Sequence, residues 1–393
     1  MNSLQLILYG FFWASAAGIF IAYLGYPLLI IMWGPKKLSK VLSGHTPAVT
    51  IFFAAHNEAL VIDEKIRRTL TTDYPAQQIR ILIGTDACTD ATDSKIAEWA
   101  EKDSRIEHVI FKQRTGKTAI LNALKKHIKT PIAIGTDANV FFEKSTITRL
   151  IAPMADPKVG MVAGNICYFE EHRGIAQQEK TYLALENKQK LAESNLWQIT
   201  MGAEGGCFAI RTSLIPEIPE NALVDDFYIT MSVLMSGAKI PFIVDALAYE
   251  DAAYSRTVEF KRKARISAGN WQNFHWFKHV ITTQFYPLGL AFLGHKVLRW
   301  FTPFFILLMI LSASFLAIFK PFFAVFLGIL CLIALAIAFD EIRYRQGKTG
   351  GLMRYPAHFF WMNLALLLGF IQYKKGIKSS IWQRTQRNEN KTG

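Results

Sequence analysis

Charge is missing from long stretches of this 393-residue chain. Leu4–Trp33 holds no charged side chain at all. Such a run exceeds the roughly 20 residues a helix needs to cross a bilayer. It has no basic segment before it and is too long for a signal-peptide core, so it reads as a retained anchor. Cysteine is scarce: Cys88, Cys167, Cys207 and Cys331 stand alone, without metal-ligand spacing. This excludes a disulfide scaffold and a zinc cluster and leaves reduced, cytoplasmic thiols. A basic, aromatic-rich nucleic-acid motif is also lacking, so the 44 Lys and Arg against 31 Asp and Glu are not read as a nucleic-acid surface. No repeat architecture is visible, although IGTDA occurs twice, at Ile83–Ala87 and Ile134–Ala138.

What the chain does have is clustered apolar sequence, 51% hydrophobic overall with a mean hydropathy of +0.19. Further apolar runs lie at Trp300–Phe319 and Pro321–Phe339, separated by Lys320, and a shorter one at Pro356–Ile371. Lys36, Lys37 and Lys40 follow the first run, and Arg343, Arg345, Lys348 and Arg354 lie in the linker Asp340–Tyr355. By the positive-inside rule both basic segments are cytoplasmic. If Pro356–Ile371 also crossed, the basic tail Lys374–Lys391 would fall on the wrong side, so that run is re-entrant or interfacial, or the count is wrong elsewhere. Basic residues beside membrane segments suit anionic lipid headgroups. The near absence of charge inside the spans disfavours a transporter. The expected organisation is an anchor over 1–35, a cytoplasmic domain over 36–275, an interfacial segment over 276–299, a membrane region over 300–373 and a basic tail over 374–393.

Within the soluble part, AVTIFFAA, RILIGT, IEHVIF and PIAIGT read as strands. They alternate with the helical patterns NEALVIDEKIRRTL, SKIAEWAEK and TAILNALKKHI, which predicts an α/β fold with a parallel sheet covered on both faces. Further on, KVGMVAGNICY, GGCFAIR and IPFIVDALAYE read as strands. The segments 175–193, 224–237 and 257–276 read as helices.

Both IGTDA copies then end strands on one rim, where open α/β sheets bind ligands. The alternative for either Asp is a turn or a helix cap. Gly116-Lys117 opens a helix after Lys112, Gln113 and Arg114, an arrangement that favours anions, though not a P-loop. A solvated basic turn competes with that reading. Asp137-Ala138-Asn139 offers alternate oxygen ligands for a hard divalent cation, or an Asx turn. Asp225-Asp226 opens a helix and supplies a candidate general base, or a cap. Arg262, Lys263 and Arg265 could neutralise a departing diphosphate, or face a membrane.

Taken in order, AAHNE (54–58), GTDACTDAT (84–92), GKTAILNAL (116–124), TDAN (136–139), GGCFAIR (205–211), VDDF (224–227) and RKARISAGNWQ (262–272) resemble the inverting family 2 glycosyltransferases. The similarity is greatest to the membrane-embedded branch of cellulose, chitin and hyaluronan synthases. It covers about residues 48–275 and implies a GT-A-like Rossmann-type catalytic domain with flanking transmembrane helices. It further implies donor contacts from Ala54, Ala55, Glu58, Asp86 (to the base), Lys117, Asp137 and Arg262. Asp137 and Asn139 would hold Mg2+ or Mn2+, Arg265 would face the leaving group and Asp226 would be the general base. The implied partners are a nucleotide-sugar, UDP-linked, a lipid-linked or glycan acceptor, and membrane lipids. The implied location is a bacterial inner membrane. Two departures stand out: Asn139 replaces the second Asp of DxD, and Ile266 stands where the QxxRW motif of the processive synthases carries Trp, although Trp271 is near. The expected activity is therefore limited transfer to a membrane-held acceptor. The rival readings are a processive polysaccharide synthase and a scaffold with a vestigial donor site.

Overall fold

The computed structural model describes residues 3–34, 44–169, 176–250, 256–346 and 354–377. Lys36, Lys37, Lys40, Lys348 and most of the basic tail lie outside the described residues. The chain divides into two units, one built mainly from Trp33–His172 and Leu183–Tyr254, the other mainly from Met1–Met32 and Ser255–Lys375.

The first unit is built on an eight-stranded sheet. Its strands are β1 (Val49–Ala55), β2 (Ile79–Asp86), β3 (Ile106–Phe111), β4 (Ile132–Gly135), β5 (Phe141–Phe142), β6 (Met161–Tyr168), β7 (Phe208–Arg211) and β8 (Phe242–Glu250), in the order β3-β2-β1-β4-β7-β6-β8-β5. All seven residues of β1 are buried, as an unbroken apolar run at the centre of a covered parallel sheet should be. β1 pairs in parallel with β2 and β4, and β2 with β3, so the expected parallel half is present. Beyond β4 the sheet turns mixed: β7 runs antiparallel to β4 and β6, and β5 antiparallel to β8. The sequence reading missed β5 and the helix Thr146–Ile151, which are too short to show a period.

The repeated glycine of IGTDA answers a packing need at both sites. A Cβ on Gly84 would strike Ile120 and Leu124 of the helix Lys117–Lys125, and one on Gly135 would strike the Phe208 ring. Register places Gly84 beside Ala54 and Gly135 beside Phe52, so the residues that follow each copy emerge at the carboxyl ends of β2 and β4.

In the second unit, three helices are long and apolar enough to span a membrane among the described residues: Ser3–Trp33, Phe285–Leu316 and Pro321–Arg343. The second begins at Phe285, well before Trp300, so most of the stretch 276–299 belongs to that helix. The run at 356–371 lies within a helix, Arg354–Lys374, that is not among the three. It packs against the basic helix Arg256–Phe277, where Ser267 Oγ donates to the Leu366 carbonyl at 2.9 Å. Trp271 is buried in this unit, in edge contact with Phe274, Phe301, Phe304 and Phe370.

Candidate active site

The tips of β1, β2 and β4 meet the amino ends of two helices in one cleft of the first unit. The first is Lys117–Lys125, entered through Gly116 at φ +91°, a backbone that side chains rarely adopt. Lys117 reaches across the cleft with Nζ 2.9 Å from Asp137 Oδ1 and 3.3 Å from Asp225 Oδ2. Burial works against its charge, but the carboxylates of Asp137, Asp225 and Asp226 outweigh that and raise its pKa.

The second helix, Asp225–Met235, opens on the two carboxylates. Asp226 Oδ2 accepts the Gly205 N–H at 3.1 Å and Oδ1 the Phe227 N–H at 2.7 Å. Thr230, one turn on, accepts the Ala203 N–H at 3.2 Å, so this helix fixes the turn before β7. Burial, with the neighbouring Asp225 charge, pushes the Asp226 carboxyl up to about 6; Lys117 and the two N–H groups pull the other way. A base with a pKa just below neutrality suits proton abstraction at physiological pH.

Asp86, to which the resemblance gives the base contact, ends β2. It is fully buried. Its Oδ1 accepts the Thr115 N–H at 2.7 Å and hydroxyl at 3.1 Å, and Oδ2 accepts the Gly116 N–H at 3.2 Å with Arg114 Nη1 3.4 Å away. This carboxylate thus anchors the loop that delivers Lys117. His56 Nδ1 donates to the Asp86 carbonyl at 2.6 Å.

Ala54 and Ala55 end β1, both buried, and Glu58 follows, 8% exposed, with its N–H bonded to Thr92 Oγ1 at 2.8 Å. The two loops AAHNE and GTDACTDAT are stitched together. Asn57, at φ +55°, takes the Thr89 N–H at 2.8 Å, and Asp90 takes the Ala59 N–H at 3.1 Å.

Asp137 and Asn139 sit at the β4 tip, both partly exposed. A carboxylate and an amide oxygen at alternate positions fit Mg2+ or Mn2+, which favour oxygen ligands. Among the described residues no group of three or more His, Cys, Asp or Glu is arranged to hold a metal. Arg262 and Arg265 lie on the helix Arg256–Phe277 of the other unit, where Arg262 pairs with Glu259 at 3.7 Å.

Sequence reading overlooked Lys65, which is fully buried beneath the β4 tip. Its Nζ donates to Thr136 Oγ1 at 2.7 Å and to the Val140 carbonyl. Burial drives its pKa down to about 7, against the pull of Asp137 and Cys207. The signal was present: Ile62, Lys65, Ile66 and Thr69 lie on one helical stripe, and the lysine falls within it.

Residues 50–218 match the model of "Glycosyl transferase family 2". That stretch is similar to a family 2 glycosyltransferase domain. The matched stretch of that domain takes in Asp86, Lys117, Asp137, Asn139 and Gly205, while Asp225 and Asp226 follow just after it. A probable glycosyltransferase of Bacillus subtilis, YdaM, is 25% identical over 375 residues, 88% of this chain and 89% of that protein. A beta-monoglucosyldiacylglycerol synthase of Synechocystis is 21% identical over 272 residues, 65% of this chain and 55% of that protein. Among solved structures, the mannosyltransferase PcManGT of Pyrobaculum calidifontis in complex with GDP-Man and Mn2+ is similar at a TM-score of 0.68. It is 20% identical, and the match covers 93% of this chain and 99% of that one. This likeness establishes the fold, a GT-A-like Rossmann-type domain.

Proposed function

We propose that the protein is a membrane-bound, inverting glycosyltransferase that moves one or a few sugars from a nucleotide-sugar to a hydroxyl of a lipid-linked or other membrane-held acceptor. The observation that carries this reading is the Lys117 bridge. It sets the strand-tip carboxylate of Asp137 and the pair Asp225-Asp226 around one ammonium, bringing a leaving-group side and a base side into a single cleft.

Asp226 accepts the proton of the acceptor hydroxyl as that oxygen attacks the anomeric carbon, while the bond to the diphosphate breaks and configuration inverts. Its carboxylate is held in place by the Gly205 and Phe227 N–H groups, so little reorganisation is needed at the moment of attack. Lys117 binds the diphosphate, and its charge is secured by the carboxylates around it. Asp86 keeps the loop before Lys117 in register. A divalent cation held by Asp137 and Asn139 would supply further charge stabilisation to the departing diphosphate.

Support for a membrane-held acceptor comes from the three membrane-spanning candidates and from the named product of the Synechocystis relative, a glycolipid. Support for short products comes from Ile266 and Trp271. An aliphatic side chain offers no face for a sugar ring to stack on. Trp271, the nearby aromatic, has its ring engaged by four phenylalanines. Incubation of the purified enzyme with labelled nucleotide-sugars and membrane lipid extract is expected to yield a glycolipid carrying one or a few sugars. A high-molecular-weight polymer made without other membrane proteins would overturn the short-product reading. No donor binding or turnover over a panel of nucleotide-sugars would favour a scaffold instead.

Three spans also remove the conflict over the tail. With Ser3–Trp33, Phe285–Leu316 and Pro321–Arg343 crossing and Arg354–Lys374 staying on one side, Lys36–Lys40, the linker 340–355 and the tail all lie in the cytoplasm. Cysteines introduced singly at positions 38, 349 and 385 are expected to resist impermeant maleimide in intact cells and to react after permeabilisation. One introduced at position 320 should be labelled from outside. Strong outside labelling at 349 or 385 would refute this topology.

A further inference from the structure

Lys65 stands where an aliphatic side chain would be far cheaper. Its side chain is 0% exposed, on a helix face shared with buried Ile62, Ile66 and Thr69. The ammonium lies 4.5 Å from the centroid of the Phe142 ring and 5.5 Å from that of Phe53. Removing a lysine from water carries a heavy desolvation cost, offset only where its hydrogen bonds are well made.

The acceptors of those bonds bracket the proposed metal-binding segment. Thr136 Oγ1 and the Val140 carbonyl flank Asp137-Ala138-Asn139, and Lys65 Nζ holds both. Thr136 Oγ1 in turn donates to the Gly206 carbonyl at 2.9 Å. The adjacent Gly205 N–H is the group that holds Asp226 Oδ2. Gly206 itself packs so closely that an added Cβ would lie 2.7 Å from Val140 Cγ2. A continuous path of hydrogen bonds and packing therefore runs from Lys65 through the β4 tip to the turn beneath the candidate base.

We infer that Lys65 is a positioning residue: a buried amine whose N–H groups clamp the Asp137–Asn139 segment at both ends and tie it to the Gly205–Gly206 turn. The two sides of the cleft then share one geometry. Hydrogen bonds in a low-dielectric interior are stronger than in water, and these N–H donors are what a lysine offers over an apolar side chain of similar length. The inference rests on the reading under Proposed function, because it gives Asp137 and Asn139 a metal to hold.

A purely structural lysine and a positioning lysine predict different losses. Lys65→Met fills the same space without the N–H donors. In the full-length protein in detergent it is expected to lower the Tm and to raise the Mn2+ half-saturation of donor binding roughly tenfold or more, in the range reported for groups that orient metal ligands. The kcat at saturating Mn2+ should change less. Thr136→Val leaves Lys65 and its bond to Val140 intact, and should raise the Mn2+ half-saturation by a smaller factor. Thr136→Ser keeps the hydroxyl and should restore wild-type metal dependence. If folded Lys65→Met binds donor with the wild-type Mn2+ half-saturation, the inference is wrong. Should Lys65→Met not fold, the same outcome for Thr136→Val overturns it. A wild-type protein that binds no donor at any Mn2+ concentration would overturn the proposed function itself, and this inference with it.

Discussion

Asp226→Asn is expected to lower kcat by roughly 10²–10⁴-fold, the usual worth of a positioned general base, while donor affinity stays close to wild type. The substitution is nearly isosteric; the amide oxygen can still accept the Gly205 N–H that now bonds to Oδ2, and only the bond to the neighbouring Phe227 N–H is given up. The fold should therefore survive. A base acts on the proton in flight and contributes little to the ground-state complex, so binding and turnover should separate. The pH profile gives a second readout. The carboxyl is pushed up to about 6 by burial and by Asp225, so it is protonated and idle below that value and becomes a base as pH rises through it. Wild-type kcat/KM should accordingly climb with pH across a limb near 6, and the residual activity of Asp226→Asn should lack that limb. Calorimetry with the donor nucleotide, alongside steady-state rates from pH 5 to 8, checks both. Loss of donor binding equal to the loss of turnover would remove Asp226 from the role of base.

Asp137→Ala should fail at the other step. The carboxylate is 35% exposed at the strand tip, so its removal leaves no cavity in the core. What goes is the charged member of the proposed metal pair and the 2.9 Å partner of Lys117. Lys117 keeps Asp225 at 3.3 Å and should turn towards it, closing the cleft from the base side. Metal-dependent donor binding is expected to weaken by about 100-fold or more, since even residues behind the ligands of a metal site cost 10–100-fold when lost. Calorimetric titration of nucleotide with and without Mn2+ would read this directly. Metal-dependent affinity within about threefold of wild type, well short of the usual 10–100-fold cost, would show that Asp137 does not bind the metal.

The contrast between these variants shows how unevenly the site could be read from the chain. Asp137, Asn139, Asp225 and Asp226 each sit at the end of a segment whose period is plain in the sequence, and the structure puts Asp137 and both Asp225 and Asp226 around Lys117. Asp86 and Asp137 share a local setting in the sequence, each the fourth residue of an IGTDA copy. Their surroundings separate them. Thr115 and Gly116, about 30 residues further along, enclose Asp86 and occupy its oxygens, whereas Asp137 is 35% exposed beside Lys117. Lys65 was passed over for the opposite reason: it falls within the apolar stripe of its helix, but a lysine on an amphipathic helix is ordinarily a solvent-facing group.

By itself the sequence determined what depends on local pattern: the apolar runs long enough to span a membrane, the parallel strands β1 to β4 with their helices, and the residues that end them. These follow from periodicity and from backbone rules that act over a few positions. The tertiary structure alone decided the antiparallel return of β7, the partners of Lys65, the anchoring role of Asp86 and the retirement of Trp271 into an aromatic cluster. Each of these depends on which distant segment becomes a neighbour, and on whether a polar group's bonds are taken up by protein or left for a ligand. No window of sequence carries that information, because the partners are brought together only when the sheet closes.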